Sequence, residues 1–105
     1  MSGFKEIGAD EFPEAVSSGP VVVDFDASWC RPCLELAPLL EEIAEEFSER
    51  VSFYKIDFDE NREFTKKHDI AGLPTLFYYK DGELIDRTAG LLEKGELENK
   101  LIALL

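Results

Sequence analysis

Val21-Val22-Val23-Asp24-Phe25-Asp26-Ala27-Ser28-Trp29-Cys30-Arg31-Pro32-Cys33 is the stretch on which the fold turns. Val21 to Ala27 is β-branched and mostly apolar, the composition of a central strand covered on both faces. From about Cys30 to Glu49 the period changes. Leu36, Leu40, Ile43 and Phe47 recur at helical spacing, while Glu35, Glu42, Glu46 and Glu49 take the wet side. Pro38 lies inside that pattern and predicts a kink, because it lacks a backbone donor and its ring crowds the preceding turn. A strand thus runs into a long helix through a pair of cysteines.

Upstream, Phe4 to Ile7 reads as a short strand and Asp10 as the cap of a helix to about Ser17, stopped by Ser18-Gly19-Pro20. Downstream, Val51 to Phe58 is a further strand, and Asn61 or Asp59 opens a helix to about His68, ended by Ala71-Gly72. Thr75 to Lys80 and Glu83 to Thr88 flank Asp81-Gly82, a two-residue hairpin signal. Leu97, Leu101, Leu104 and Leu105 mark the buried stripe of a last helix. Parallel βαβ units followed by an antiparallel hairpin predict an α/β domain: one mixed central sheet with helices on both faces, spanning residues 1–105.

Eleven basic against 23 acidic residues leave a net charge of −12, a surface that repels nucleic-acid phosphates and anionic lipid headgroups. No apolar run approaches the roughly 20 residues a bilayer span requires. The stretch from Met1 to Glu6 has no apolar segment before a small-residue cleavage site, so a cytoplasmic protein is expected, and a monomer.

Cys30 and Cys33 are the only cysteines. Two residues between them at a helix start bring the sulfurs within bonding reach. The unpaired amides of that helix end favour a thiolate, the attacking species in disulfide exchange, and Pro32 fits a first turn where a missing N–H costs nothing. A structural disulfide is the weaker reading, since so small a ring removes little unfolded-state entropy. A zinc site wants four ligands, and beyond the two thiols stands one histidine, His68, read as an ordinary surface residue; no metal is expected. Two idle buried thiols are the remaining alternative.

Val23-Asp24-Phe25, Trp29-Cys30, Pro32-Cys33, Ala37-Pro38, Gly72-Leu73-Pro74-Thr75, Asp81-Gly82 and Gly90, in this order and at these separations, resemble landmarks of the thioredoxin family. The resemblance covers essentially the whole chain and implies the thioredoxin fold. It further implies a reductant of protein disulfides, with Cys30 the exposed nucleophile and Cys33 the buried resolving thiol. Asp24 resembles the family's buried carboxylate beneath the second cysteine, and Lys55 falls where a lysine often stands near it. Leu73-Pro74 resembles the loop whose proline is cis, and Trp29, Gly72 and Gly90 match positions that shape a platform for an extended client segment. Disulfide-containing client proteins and a separate thioredoxin reductase are the implied partners, with no bound cofactor, since the sulfurs hold the electrons. A disulfide isomerase or oxidant on the same fold, and a non-enzymatic binding module, are the alternative readings.

An acid among Val21, Val22, Val23 and Phe25 is costly when ionised, so desolvation should raise the pKa of Asp24. Lys55 alternates with Val51 and Phe53 and either points inward or stands exposed. Two residues depart from the family pattern. Arg31 replaces the usual glycine, and a cation beside Cys30 favours its thiolate and a more oxidising protein, unless it is a solvated arginine that serves partner recognition. Asp26 stands where a tryptophan is usual, on the same strand face as Asp24. Either the two carboxylates titrate together, or Asp26 pairs with Arg31 and cancels its effect.

Overall fold

The valine run forms a strand paired on both sides, and the rest of the sheet is built outward from it. The computed structural model describes residues 3–105; Met1 and Ser2, the start of the stretch read for a leader, lie outside the described residues. In chain order the elements are β1 (Lys5–Glu6), α1 (Phe12–Ala15), β2 (Pro20–Asp26), α2 (Arg31–Phe47), β3 (Ser52–Asp57), a 3-10 turn (Asp59–Asn61), α3 (Arg62–Lys67), β4 (Thr75–Lys80), β5 (Glu83–Ala89) and α4 (Lys94–Ile102). The sheet order is β1-β3-β2-β4-β5. β1, β3 and β2 are parallel, and β4 and β5 are antiparallel additions, which makes the sheet mixed as expected.

Strand alternation divides β2 between two cores. Val22 joins Phe53, Leu76 and Tyr78 under α2 and α4, against Leu36, Leu40, Ile43, Leu97 and Leu101. Val21, Val23 and Phe25 face the other way, with Phe12 of α1, Phe64 of α3, Phe77 and Tyr79. Each such side chain taken from water contributes about 1.5–3 kcal/mol. The hairpin forms at Asp81-Gly82, where φ is +49° and +85°, the left-handed pair that an Asp-Gly turn favours. Asp81 also binds the loop before β2, its Oδ1 accepting from the Gly19 N–H at 2.7 Å.

The structure corrects several expectations. Asp10 does not cap the first helix, which is only four residues long. Its N-cap is Glu11, without a side-chain cap bond, and Glu11 instead accepts from the Gly8 N–H at 2.9 Å. Pro13 sets the first turn, where its fixed φ suits a helix start. Leu97, Leu101 and Leu104 are buried, but Leu105, past the end of α4 at Ile102, is 45% exposed.

His68 is not an ordinary surface residue. It lies half-buried at the C-terminal cap of α3, one turn beyond Phe64, whose ring centroid is 4.3 Å away; Phe12 is at 5.8 Å. Helical spacing turns it inward while its charged neighbours face water. Burial, then Lys67 and Arg87, hold its pKa below the usual histidine value. Arg87 of β5 braces this corner, donating to the carbonyls of His68 and Asp69 at 2.9 and 3.1 Å with its guanidinium over the Phe77 ring.

Candidate active site

Parallel pairing places the C-terminal ends of β2 and β3 side by side, and the Phe58 N–H donates to the Asp26 carbonyl at 2.8 Å. β4, antiparallel, starts at the same end, with Thr75 opposite Phe25, and the Gly90 N–H donates to the Pro74 carbonyl at 2.8 Å. Four remote segments therefore converge: Ala27–Cys33, Phe58–Asp59, Gly72–Pro74 and Gly90. This is the end of an α/β sheet where sites usually form.

Cys30 and Cys33 are joined in a disulfide with Cα atoms 5.3 Å apart. Cys30 is the N-cap of α2, in extended conformation (φ −84°, ψ 109°), and its Sγ accepts from the Cys33 N–H at 3.2 Å. A sulfur in that position meets the positive end of the helix, which lowers the cost of a thiolate. Pro32 occupies the first turn. The expectation of an exposed Cys30 over a buried Cys33 is corrected: their exposures are 4% and 7%. Folding its side chain back over the helix end packs Cys30 with Cys33 and Ala27, against Phe58 and Leu73.

Asp24 is 4% exposed, and its Oδ1 has no hydrogen-bond partner among the described residues. It stands opposite Lys55 in the β2–β3 register, with Asp26 opposite Asp57. Lys55 is half-buried on this face rather than fully exposed. Burial first, then the charge and hydrogen bond of Asp26, push the Asp24 carboxyl well above the usual carboxylate range, while Lys55 pulls it down. Asp26, half-buried, is raised chiefly by burial, and its hydrogen bond with Asp24 lowers it. Arg31 is exposed and forms no ion pair with Asp26, so the reading in which Asp26 pairs with Arg31 is corrected.

Trp29 is 62% exposed. Its Nε1 donates to Asp59 Oδ2 at 2.7 Å, and its ring meets Phe58 edge-on at 6.2 Å. Arg62 completes the support, paired with Asp59 at 2.8 Å and lying over Phe58. The Leu73–Pro74 peptide is cis; Leu73 is half-buried against the cysteine pair and Pro74 is buried. A Cβ at Gly72 or Gly90 would meet nothing within 4 Å, so the space over both is open, and Gly90 sits at φ +87°, where glycine is favoured. Sequence reasoning missed Phe58 and Asp59 as site residues. An aromatic-acid pair just beyond a strand that ends beside the cysteine strand was the available signal. Among the described residues no group of His, Cys, Asp or Glu is arranged to hold a metal ion.

The thioredoxin family profile matches residues 3–103. Thioredoxin 1 of Synechococcus elongatus is 42% identical over 85 residues, 81% of this chain and 79% of that protein. The thioredoxin of Staphylococcus epidermidis is 38% identical over 91 residues, 87% and 88% of the two chains. The crystal structure of Malassezia sympodialis thioredoxin superposes with a TM-score of 0.84 at 30% identity, covering 99% of this chain and 92% of that one.

Proposed function

This chain belongs to the thioredoxin family and is a thiol–disulfide oxidoreductase, and from that premise we propose that it reduces disulfides of client proteins with Cys30 as nucleophile and Cys33 as resolving thiol. The observation that carries the assignment is the Cys30 sulfur at the N-cap of α2, accepting the Cys33 N–H. That donor and the helix end stabilise negative charge on Cys30 in the reduced protein.

The Cys30 thiolate attacks one sulfur of the client disulfide, and the other client sulfur leaves as a thiolate and takes a proton from water. Cys33 then gives up its proton and attacks Cys30, forming the intramolecular disulfide and releasing the client's first sulfur. Two electrons pass to the client and are restored by a separate thioredoxin reductase. Asp24, on the sheet face beneath the helix that carries Cys33, is the base for that proton, and Lys55 opposite it favours the ionised form. Trp29, Gly72, Leu73, Pro74 and Gly90 form the surface over which an extended client segment lies, its open space left by the two glycines. Arg31, with no carboxylate partner among the described residues, favours the Cys30 thiolate and so tunes the potential. We place this electron transfer in the cytoplasm, whose thiol pools suit a dithiol reductant. No helix among the described residues is long and apolar enough to cross a membrane.

Cys33→Ser tests the assignment. It should accumulate client proteins as mixed disulfides on Cys30, releasable by dithiothreitol, whereas Cys30→Ser should collect none. Equal trapping by the two variants, or none by either, overturns it.

A further inference from the structure

We propose that Asp26 is a proton relay, passing to solvent the proton that Cys33 surrenders to buried Asp24 during the resolving step. The proposal rests on the reading of Asp24 as the base for Cys33. Three features of the structure carry it. Asp24 is almost wholly buried, and its Oδ1 has no partner among the described residues, so it has no direct route of its own to water. Asp26 lies two residues along the same strand face, is only half-buried, and its carboxyl and that of Asp24 perturb each other. The charged groups around the pair are Lys55 and Asp57 of β3, in register with Asp24 and Asp26, and Glu6 of β1, in register with Lys55. One cation among these carboxylates favours a pair that retains a single proton.

A shared proton gives the relay its advantage. When it shifts from Asp24 to Asp26, Asp24 becomes a carboxylate without any new net charge in the interior. The Cys33 thiol then passes its proton to Asp24, and Asp26 releases the earlier one to water. The sum is Cys33 thiol to Cys33 thiolate plus one aqueous proton, and the thiolate displaces the client sulfur from Cys30. A lone buried Asp24 would have to ionise by itself before it could act.

The test isolates the resolving step: thionitrobenzoate is loaded on Cys30 as a mixed disulfide, and its release by Cys33 is followed by stopped flow across pH. Asp26→Asn takes away the neighbour that raises Asp24, so more Asp24 is ionised at neutral pH. If Asp26 acted only through its charge, the variant would be faster. The relay requires it to be slower, by about tenfold. Asp26→Glu, which restores a titrating carboxylate, should recover most of the rate and the wild-type pH profile. Circular dichroism verifies that each variant is folded. An Asp26→Asn protein as fast as wild type or faster, while Asp24→Asn is slow, overturns the relay alone. An Asp24→Asn protein as fast as wild type removes the base, and the relay with it.

Discussion

The two faces of β2 are built from alternate residues of the same seven and do opposite things. Toward α1 and α3 the strand shows Val21, Val23 and Phe25, continued by Phe12, Phe64, Phe77 and Tyr79 in a wholly apolar layer. Toward α2 it begins the same way at Val22 and then turns acidic at Asp24 and Asp26 as it nears the cysteines. Both faces bury a large core, but the second gives up apolar burial at its end, where an acid sits under the helix that carries Cys33. One strand serves both ends because side chains two apart share a face while neighbours never do.

The aromatic face offers the strongest challenge to this division. Phe25→Ala should lower the free energy of unfolding by about 3–5 kcal/mol, measured by urea denaturation, with disulfide reduction per folded molecule unchanged. A small loss of stability joined to a large loss of rate would erase the distinction.

The acidic face should respond in the opposite sense. Asp24 is raised in the fold, so folded protein binds more protons than unfolded between the ordinary carboxylate value and the raised one, and stability falls as pH rises through that interval. Asp24→Asn should abolish that fall and be the more stable protein on its alkaline side, by about 1–3 kcal/mol, while reducing disulfides more slowly. Denaturation midpoints against pH decide it, and a variant less stable than wild type at alkaline pH breaks the comparison.

The smallest expected effect belongs to His68, the polar residue at the margin of the aromatic face. Its folded pKa lies below the ordinary value, so its contribution is present above that value and fades as pH falls through the lowered one. An NMR titration of the imidazole should place it below a histidine in an unfolded peptide. A value at or above that reference means that the aromatic layer does not shield it.

Local periodicity was enough to read β2, the course of α2 and the Asp-Gly hairpin, because each is decided by residues within a few positions of one another. The cysteine pair was legible for the same reason. Part of the site around it was not, since Phe58 reaches the cysteines and Asp59 reaches Trp29 only through the β3–β2 pairing, whereas the Leu73-Pro74 loop was carried by the family resemblance. The extended N-cap conformation turned Cys30 inward, and helical spacing turned His68 toward Phe64, two orientations that residue type alone does not reveal. Asp26 could be assigned to the face of Asp24 by alternation, yet the choice between Asp24 and Arg31 as its partner needed coordinates.

Arg87 shows how far the control of one loop can lie from the loop itself. Its two forked nitrogens hold the carbonyls at the point where the chain leaves α3 and heads for Leu73 and Pro74. The turn that carries Leu73 and Pro74 is thus tethered from behind by an edge strand nearly twenty residues further along the chain. A lysine there would keep the charge and lose the two-pronged grip, so the position selects for guanidinium shape as much as for a cation.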